Sequence, residues 1–596
     1  MQYSKIIQNS NLKTQNFKVK VKTLNLLIVV LTFAFLFLSS PVYAVVDPLT
    51  TTNNKFGIHI ISPTIDESSP AASLVNSNGG DWGYITVLIE SKDRNHDKWQ
   101  TFFNDLRRRH LIPLVRLATE PDGSYWKRPY EGEETAWADF LDRLVWPIKN
   151  RYVIIYNEPN QGQEWAGQVD PRSYAQVLDK TVTALKNKNE DFFVLNAGFD
   201  ASAPNKPPLF LDQVIFMQEM NKEVPGIFNK LDGWVSHSYP NPGFAGSPYA
   251  IGRGTIQTWR WELDILRRLG VNKQLPIFIT ETGWKHAEGI DFDKSLPGAE
   301  AIGDYFQYAF NDIWDDSQIV AVTPFLLDYQ QPPFDHFSFK RPTGKIQNQK
   351  ILGITFPEYY PHYQKLAALS KYKGQPRQNN QAELAQGSIY SSLVLGEGYV
   401  IPLTFKNTGQ SIWNDELSVE LRAIEGQTEL GIEPVRIEGK IEPGQEAVFE
   451  LKLKGSQAGH YNLKLQMFIN DKTFDQTPLE YTIEVKSPVI LQVKSSLTWK
   501  KKFNGEYSLG IDSDVIKITV PTQLNLLGQS TPFEARYLLP DHEFSFTLSR
   551  PFYKPKTITQ KTVSGLNQLD FGKLEPDILP AIINPIQLWR LLPFSN

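Results

Sequence analysis

Two stretches of this 596-residue chain place a glutamate directly after a short apolar run. Tyr152-Val153-Ile154-Ile155-Tyr156 ends in Asn157-Glu158-Pro159-Asn160, and Ile277-Phe278-Ile279-Thr280 ends in Glu281-Thr282-Gly283-Trp284. Runs of this length and composition read as strands buried on both faces. A carboxyl group closing each of two such strands gives a pair held at a common height. Hydrolysis of a glycosidic bond needs a pair of this kind: a protonated acid for the leaving oxygen, and a carboxylate that attacks the anomeric carbon. At about 5–5.5 Å apart the two leave no room for a water between them, and configuration is retained. The charge on Glu281 would then raise the pKa of Glu158, keeping it an acid until Glu281 is glycosylated.

The elements that must hold these groups are legible from Phe56 to about Lys373. Apolar runs at Phe56–Ile60, Tyr84–Ile89, Ile112–Leu117, Tyr152–Tyr156, Phe193–Asn196, Trp234–His237, Ile277–Thr280 and Val320–Leu327 read as strands. Amphipathic segments separate them, including Thr135–Lys149, Pro171–Lys188, Thr258–Leu269 and Gly298–Trp314. Asp170 before Pro171 is a helix N-cap with proline at the first helical position. Alternation of strand and helix over residues 50–373 predicts a (β/α)8 TIM barrel. A doubly wound open sheet is the competing arrangement, but no glycine-rich phosphate turn follows the first strand. In a barrel, chemistry sits at the C-terminal ends of strands, and the fourth and seventh face each other across the mouth. Arg116, His237, His59 and Asp328 also stand at strand ends, and Trp126 and Trp165 lie in the loops beyond. Taken singly, such a histidine is more often structural, and such a tryptophan more often core.

Composition narrows the classes further. The formal net charge of −4 argues against nucleic acid or an anionic membrane as a partner, and no membrane contact is expected once the N-terminal segment is removed. With no cysteine, disulfides, thiolate metal sites and a cysteine nucleophile are excluded. No His and carboxylate spacing suggests a metal, no Gly-x-Ser-x-Gly elbow is present, and no cofactor is expected. Lys5, Lys13, Lys18, Lys20 and Lys22 precede an apolar stretch from Leu24 to Leu38, followed by Val42-Tyr43-Ala44. Residues 1–44 therefore read as a cleaved signal peptide, with an uncleaved anchor as the alternative. Either way the protein is expected to be secreted, cell-surface or periplasmic. Its oligomeric state is left open.

Beyond the barrel, residues 374–387 are rich in Gln and Asn and read as a linker. Alternating stretches over 388–486, such as Tyr399–Phe405, Ala447–Leu453 and Tyr461–Ile469, predict an Ig-like β-sandwich. Residues 487–578 read as a second small β domain, and 579–596 form an apolar tail interrupted by prolines.

Asn157-Glu158-Pro159 after the fourth strand, with Glu281 after the seventh, resembles the signature of clan A glycoside hydrolases. The tetrad through Asn160 is most similar to families 39 and 5 of that clan, and the likeness covers the barrel alone. It implies a retaining glycosidase acting on a β-linked oligo- or polysaccharide, with Glu158 as acid/base and Glu281 as nucleophile. It further implies that Asn157 binds the substrate's 2-hydroxyl, that His237 lies beside the reacting groups and that Tyr239 orients Glu281. Arg116 would keep Glu281 ionised. Many clan members carry a Trp platform on the eighth strand, where this chain has Phe325-Leu326-Leu327-Asp328-Tyr329; Trp284 or Tyr329 would replace it. A transglycosidase uses the same carboxylates, and a non-catalytic carbohydrate-binding or adhesion protein is the remaining alternative.

Overall fold

The computed structural model describes residues 45–344, 357–514 and 516–577. The signal peptide expected over residues 1–44 and the tail expected over 579–596 lie outside these. No helix among the described residues is long and apolar enough to cross a membrane. The chain divides into two compact units between Arg377 and Gln378.

In the first unit, β1 (Gly57–His59), β2 (Gly83–Glu90), β3 (Leu111–Ala118), β4 (Arg151–Ile154) and β5 (Phe192–Leu195) form one parallel sheet in that order. A second parallel sheet holds β6 (Trp234–His237), β7 (Ile277–Glu281) and β8 (Ile319–Val322), with β7 central. Single parallel bridges join the two at both seams, Leu195 to Gly233 and Phe56 to Val322. Each strand leads to a helix: α1 (Ile65–Val75), α2 (His96–Arg108), α3 (Glu133–Arg143), α4 (Pro171–Lys188), α5 (Gln213–Glu223), α6 (Thr258–Arg268), α7 (Ala299–Tyr308) and α8 (Pro361–Ala368).

Strand alternation sorts the side chains into two apolar clusters. Ile85, Val87, Val115, Val153, Val194, Ile277 and Ile279 pack with the helices. Tyr84, Ile112, Leu114, Tyr152, Ile154, Phe193, Val235 and Phe278 fill the inner layer. Continuing that inner register along β3 and β6 brings Arg116 and His237 to the inside at the strand ends. On β7 the register alone would turn Glu281 outward, two positions being needed to return from Phe278 to the inner face. A bulge corrects this: Ser236 pairs with Ile279 but His237 pairs with Glu281, so two residues of β7 oppose one of β6.

Two expected elements end early. The eighth strand, expected as Val320–Leu327, stops at Val322 because Pro324 has no N–H to continue the ladder. His59 and Ile279 still hold this segment through His59 N–H to Pro324 O (3.0 Å) and Thr323 N–H to Ile279 O (2.8 Å). The helix expected over Thr135–Lys149 ends at Arg143, where Leu144 turns extended ahead of Pro147.

The second unit is all β. Residues 374–387, read as a linker, include β9 (Ala382–Gln386), which pairs with β11 (Gly398–Asn407), itself paired with β14 (Glu446–Lys454). A second sheet is built from β10 (Ser392–Val394), β12 (Glu420–Glu425), β13 (Val435–Arg436), β15 (Gly459–Ile469), β16 (Lys472–Thr473) and β17 (Leu479–Lys486). Both contribute to one core around Leu403, Phe405, Trp413, Phe449, Leu465 and Ile483. A further core around Val493, Leu509, Phe546 and Phe571 gathers β18 (Val489–Leu497), β19 (Gly505–Asp512), β20 (Lys517–Leu524), β21 (Phe533–Glu534), β22 (Glu543–Arg550), β23 (Tyr553–Lys561) and β24 (Gly565–Leu574).

Candidate active site

At the C-terminal ends of the parallel strands, Arg116, Asn157, Glu158, His237, Tyr239 and Glu281 come together. Arg116, at the inner end of β3, donates from Nη1 to Asn157 Oδ1 (2.8 Å) and to Glu281 Oε1. Tyr239 donates to the other oxygen of Glu281 at 3.1 Å. His237 Nδ1 lies 2.8 Å from Glu158 Oε1 and 3.8 Å from Glu281 Oε2. Glu158, His237 and Glu281 each present an atom within 4.8 Å of the others, so the two carboxyl groups face each other directly.

The loop after β4 takes an uncommon path to achieve this. Tyr156 and Glu158 have φ of 68° and 28°, in the left-handed region where side-chain-bearing residues are strained. Backbone bonds hold it there, with Glu158 N–H to Gly198 O (3.0 Å) and Gln161 N–H to Glu158 O (2.9 Å). Gly198 also lets the His237 ring approach: a Cβ at that position would lie 2.1 Å from His237 Cδ2. Gln161 Nε2 completes the setting of Glu158, donating to its Oε2 at 2.7 Å and to Asp200 Oδ2 at 3.2 Å.

The two carboxyls are pushed in opposite directions. Burial raises the pKa of Glu158, and the charges of Asp200 and Glu281 add to it against the opposing His237. Burial acts likewise on Glu281, but His237, Arg116, His59 and the Tyr239 hydroxyl together outweigh it and bring that group down to about 2. His237, squeezed by burial, is nonetheless raised by Glu281 and Glu158. His59 goes the other way, lowered to about 3 by burial and by Arg116, and is neutral near pH 7. Among the described residues, neither buried ring nitrogen of His59 has a hydrogen-bond partner, and Nε2 is 3.8 Å from Glu281 Oε1. One carboxyl shifted toward its protonated form and one held ionised are what acid-assisted displacement requires.

These groups open into a cavity of about 590 Å³. Arg116, Asn157, Glu158, His237, Tyr239 and Glu281 all line it, as do His59 and Trp126. Trp284 does not. Its side chain is buried behind the mouth against Tyr305 and Phe306, with its indole N–H donated to Gly246 O (2.8 Å). Gly283, at φ 130°, turns the chain between Glu281 and Trp284, so the two face different ways. Trp165 is likewise core, packed edge-on to Tyr156 and Tyr174. Asp328 pairs with Lys340 at 3.1 Å and is not among the lining residues. Tyr329 takes the wall position instead, edge-on to Phe334, which meets Phe325, which in turn meets Phe337.

Gln161, Glu164 and Asp200 also line the cavity and were not singled out from the sequence. Glu164 is raised to about 7 by burial and by the neighbouring Glu158. Gln161 and Glu164 follow Asn157-Glu158-Pro159-Asn160 closely, which is a signal that could have found them. Asp200 had none. By spacing alone, Glu158, His237 and Glu281 could offer one ligand atom each to a metal ion. Arg116 already neutralises Glu281, however, and His237 is bonded to Glu158, so these donors are engaged with one another.

No family model and no curated protein matches the chain. Similar solved structures include a family 39 glycoside hydrolase from Bacteroides cellulosilyticus WH2, at 13% identity and TM-score 0.35, covering 68% of this chain and 82% of that one. A glucosidase from Croceicoccus marinus aligns at 9% identity and TM-score 0.39, over 80% and 96% of the two chains. A Cellulomonas fimi endo-beta-1,4-mannanase double mutant aligns at 12% identity and TM-score 0.31, over 73% and 94%. All three superpose loosely.

Proposed function

We propose that this chain is a retaining glycoside hydrolase. It cleaves a β-linked oligo- or polysaccharide outside the cytoplasmic membrane, on a first unit whose eight strands close as a (β/α)8 barrel. The observation that carries this reading is the pair Glu158 and Glu281, with facing oxygens within 4.8 Å and pKa values driven apart. That separation suits direct attack rather than a water held between the groups. The cyclic order of parallel strands, bridged at both seams, supports the barrel.

In the first step Glu158 gives its proton to the glycosidic oxygen while Glu281 attacks the anomeric carbon. The leaving alcohol departs and a glycosyl ester to Glu281 remains. Arg116 and Tyr239 hold Glu281 ionised and aimed. Loss of the Glu281 charge then lowers the pKa of Glu158, which takes a proton from the incoming water as that water displaces Glu281. Asn157, fixed by Arg116, and His59, with both ring nitrogens free, are placed to bind sugar hydroxyls.

A panel of aryl β-glycosides and polysaccharides, assayed with wild type, Glu158→Gln and Glu281→Gln, tests this assignment. Both variants are expected to lose at least about 10³-fold in kcat on the substrate that wild type cleaves. Product NMR is expected to show net retention. Full activity in either variant, or net inversion, rejects the mechanism.

A further inference from the structure

The second unit carries a surface that the reaction does not use. Between β18 and β19 the chain runs Thr498-Trp499-Lys500-Lys501-Lys502-Phe503, and between β20 and β21 it makes a turn at Asn525-Leu526-Leu527-Gly528. The two segments adjoin, with Phe503 N–H bonded to Leu526 O at 3.4 Å. Trp499 is 50% exposed, Leu526 57% and Leu527 76%. A tryptophan and two leucines turned to water on one tip is not a routine surface.

The leucine turn is built rather than loose. Asn525 Oδ1 accepts from Leu527 N–H (2.9 Å) and Gln529 N–H (3.1 Å), and the backbone closes with Gly528 N–H to Asn525 O (2.9 Å). Gly528 sits at φ 77° against β18, where a Cβ would come within 2.0 Å of Ser495 O, and its own carbonyl accepts from Ser495 N–H at 2.9 Å. Arg550 braces the other segment, donating to Phe503 O (3.4 Å), Asn504 O (3.2 Å) and Tyr507 Oη (2.6 Å). The chain thus spends specific bonds on presenting apolar side chains outward.

Exposed lysines border the tip, with Glu575, next to Leu574, as the exposed acid at the same edge. Lys501 and Lys502 stand exposed beside Trp499, and Lys573 is exposed on β24 opposite Ser496, one strand away. Among the described residues these three lysines make no ion pair. Exposed leucines on one segment, with an exposed indole and lysines on the adjoining one, are a combination that suits a bilayer interface with anionic headgroups. A sugar polymer would use the indole but has no use for two leucines.

We infer that the Trp499 and Leu526–Leu527 tip docks on an anionic lipid surface, Leu526, Leu527 and Trp499 entering the interface while Lys501, Lys502 and Lys573 contact headgroups. The absence of cysteine permits a direct test on the full chain. Leu527→Cys, labelled with a polarity-sensitive dye, reports the tip itself whatever else in the chain touches lipid. Val563→Cys is the control: it is 51% exposed and precedes Gly565, at the opposite end of β24 from Leu574, the partner of Leu497.

With phosphatidylglycerol-containing vesicles the dye at 527 is expected to shift to the blue and to be quenched by lipid-borne quenchers, while the dye at 563 is not. Phosphatidylcholine vesicles should give little response. Adding Lys501→Glu and Lys502→Glu should weaken the response to anionic vesicles about ten-fold or more. An unchanged dye at 527 on anionic vesicles overturns the proposal. So does a dye already shielded before vesicles are added, which would mean that the chain itself or a second copy covers the tip. A response to soluble polysaccharide in place of vesicles would reassign the surface to glycan.

Discussion

Gln161 Nε2 lies between two carboxyl groups, 2.7 Å from Glu158 and 3.2 Å from Asp200, and Asp200 raises the pKa of the acid it helps to place. On the proposed mechanism the free protein must hold Glu158 protonated, so the alkaline limb of the kcat/KM–pH profile follows its pKa. Asp200→Asn removes a negative charge, lowers that pKa and moves the limb to lower pH, whereas Asp200→Glu should leave it nearly in place. A limb that stays put in Asp200→Asn breaks the link. His237 depends on a different neighbour. Gly198→Ala drives a methyl into the imidazole, which must leave its 2.8 Å bond to Glu158. A loss of about 10²-fold in kcat is expected, with a cost of about 1–3 kcal/mol in stability by denaturant titration. Unchanged kinetics would mean that the ring contributes nothing to Glu158.

Among the elements, α4 shows how far local chemistry fixes a boundary. It runs Pro171–Lys188 as expected, because Asp170 caps it by accepting from Ser173 N–H (3.1 Å) and Pro171 stands at its first position. Asp170 also pairs with Arg128 at 2.9 Å. Asp170→Ala should cost about 1 kcal/mol, read as a fall in the denaturation midpoint with activity per folded molecule unchanged. The strands were legible for the same kind of reason, since runs such as Ile277–Thr280 have no other place than a buried sheet. The bulge at the end of β7 was not, although it decides where Glu281 points. Trp284 shows the complementary failure: an aromatic beside a glycine reads alike as platform or core, and only the turn at Gly283 separates them. Asp200 reaches the site through the loop after β5, and nothing in its neighbours Phe199 and Ala201 announces that.

Taken as a whole, the first unit's stability responds to pH from both sides. His59 is held at about 3 against an ordinary value of 6.5, so its contribution is present above 6.5 and lost as pH falls toward 3. Glu164 is the reverse: raised from 4.5 to about 7, it makes the folded state less stable as pH rises through that interval. Glu164→Gln is therefore expected to raise Tm at pH 8 and to leave it nearly unchanged at pH 4. Equal Tm values for variant and wild type at both pH values would show that Glu164 is not held proton-bearing in the folded chain.

The segment after β8 leaves the ladder at Val322 and supplies Phe325, Tyr329, Phe334 and Phe337 to the cavity, while Arg116, Glu158, His237 and Glu281 come from or directly follow strands. Much of the aromatic wall therefore comes from one segment, with Phe337 and Phe325 reaching back to Tyr239 and His59. On the proposed function, exchanges at Tyr329 and Phe334 should change which glycan is accepted while the reacting groups stay in place.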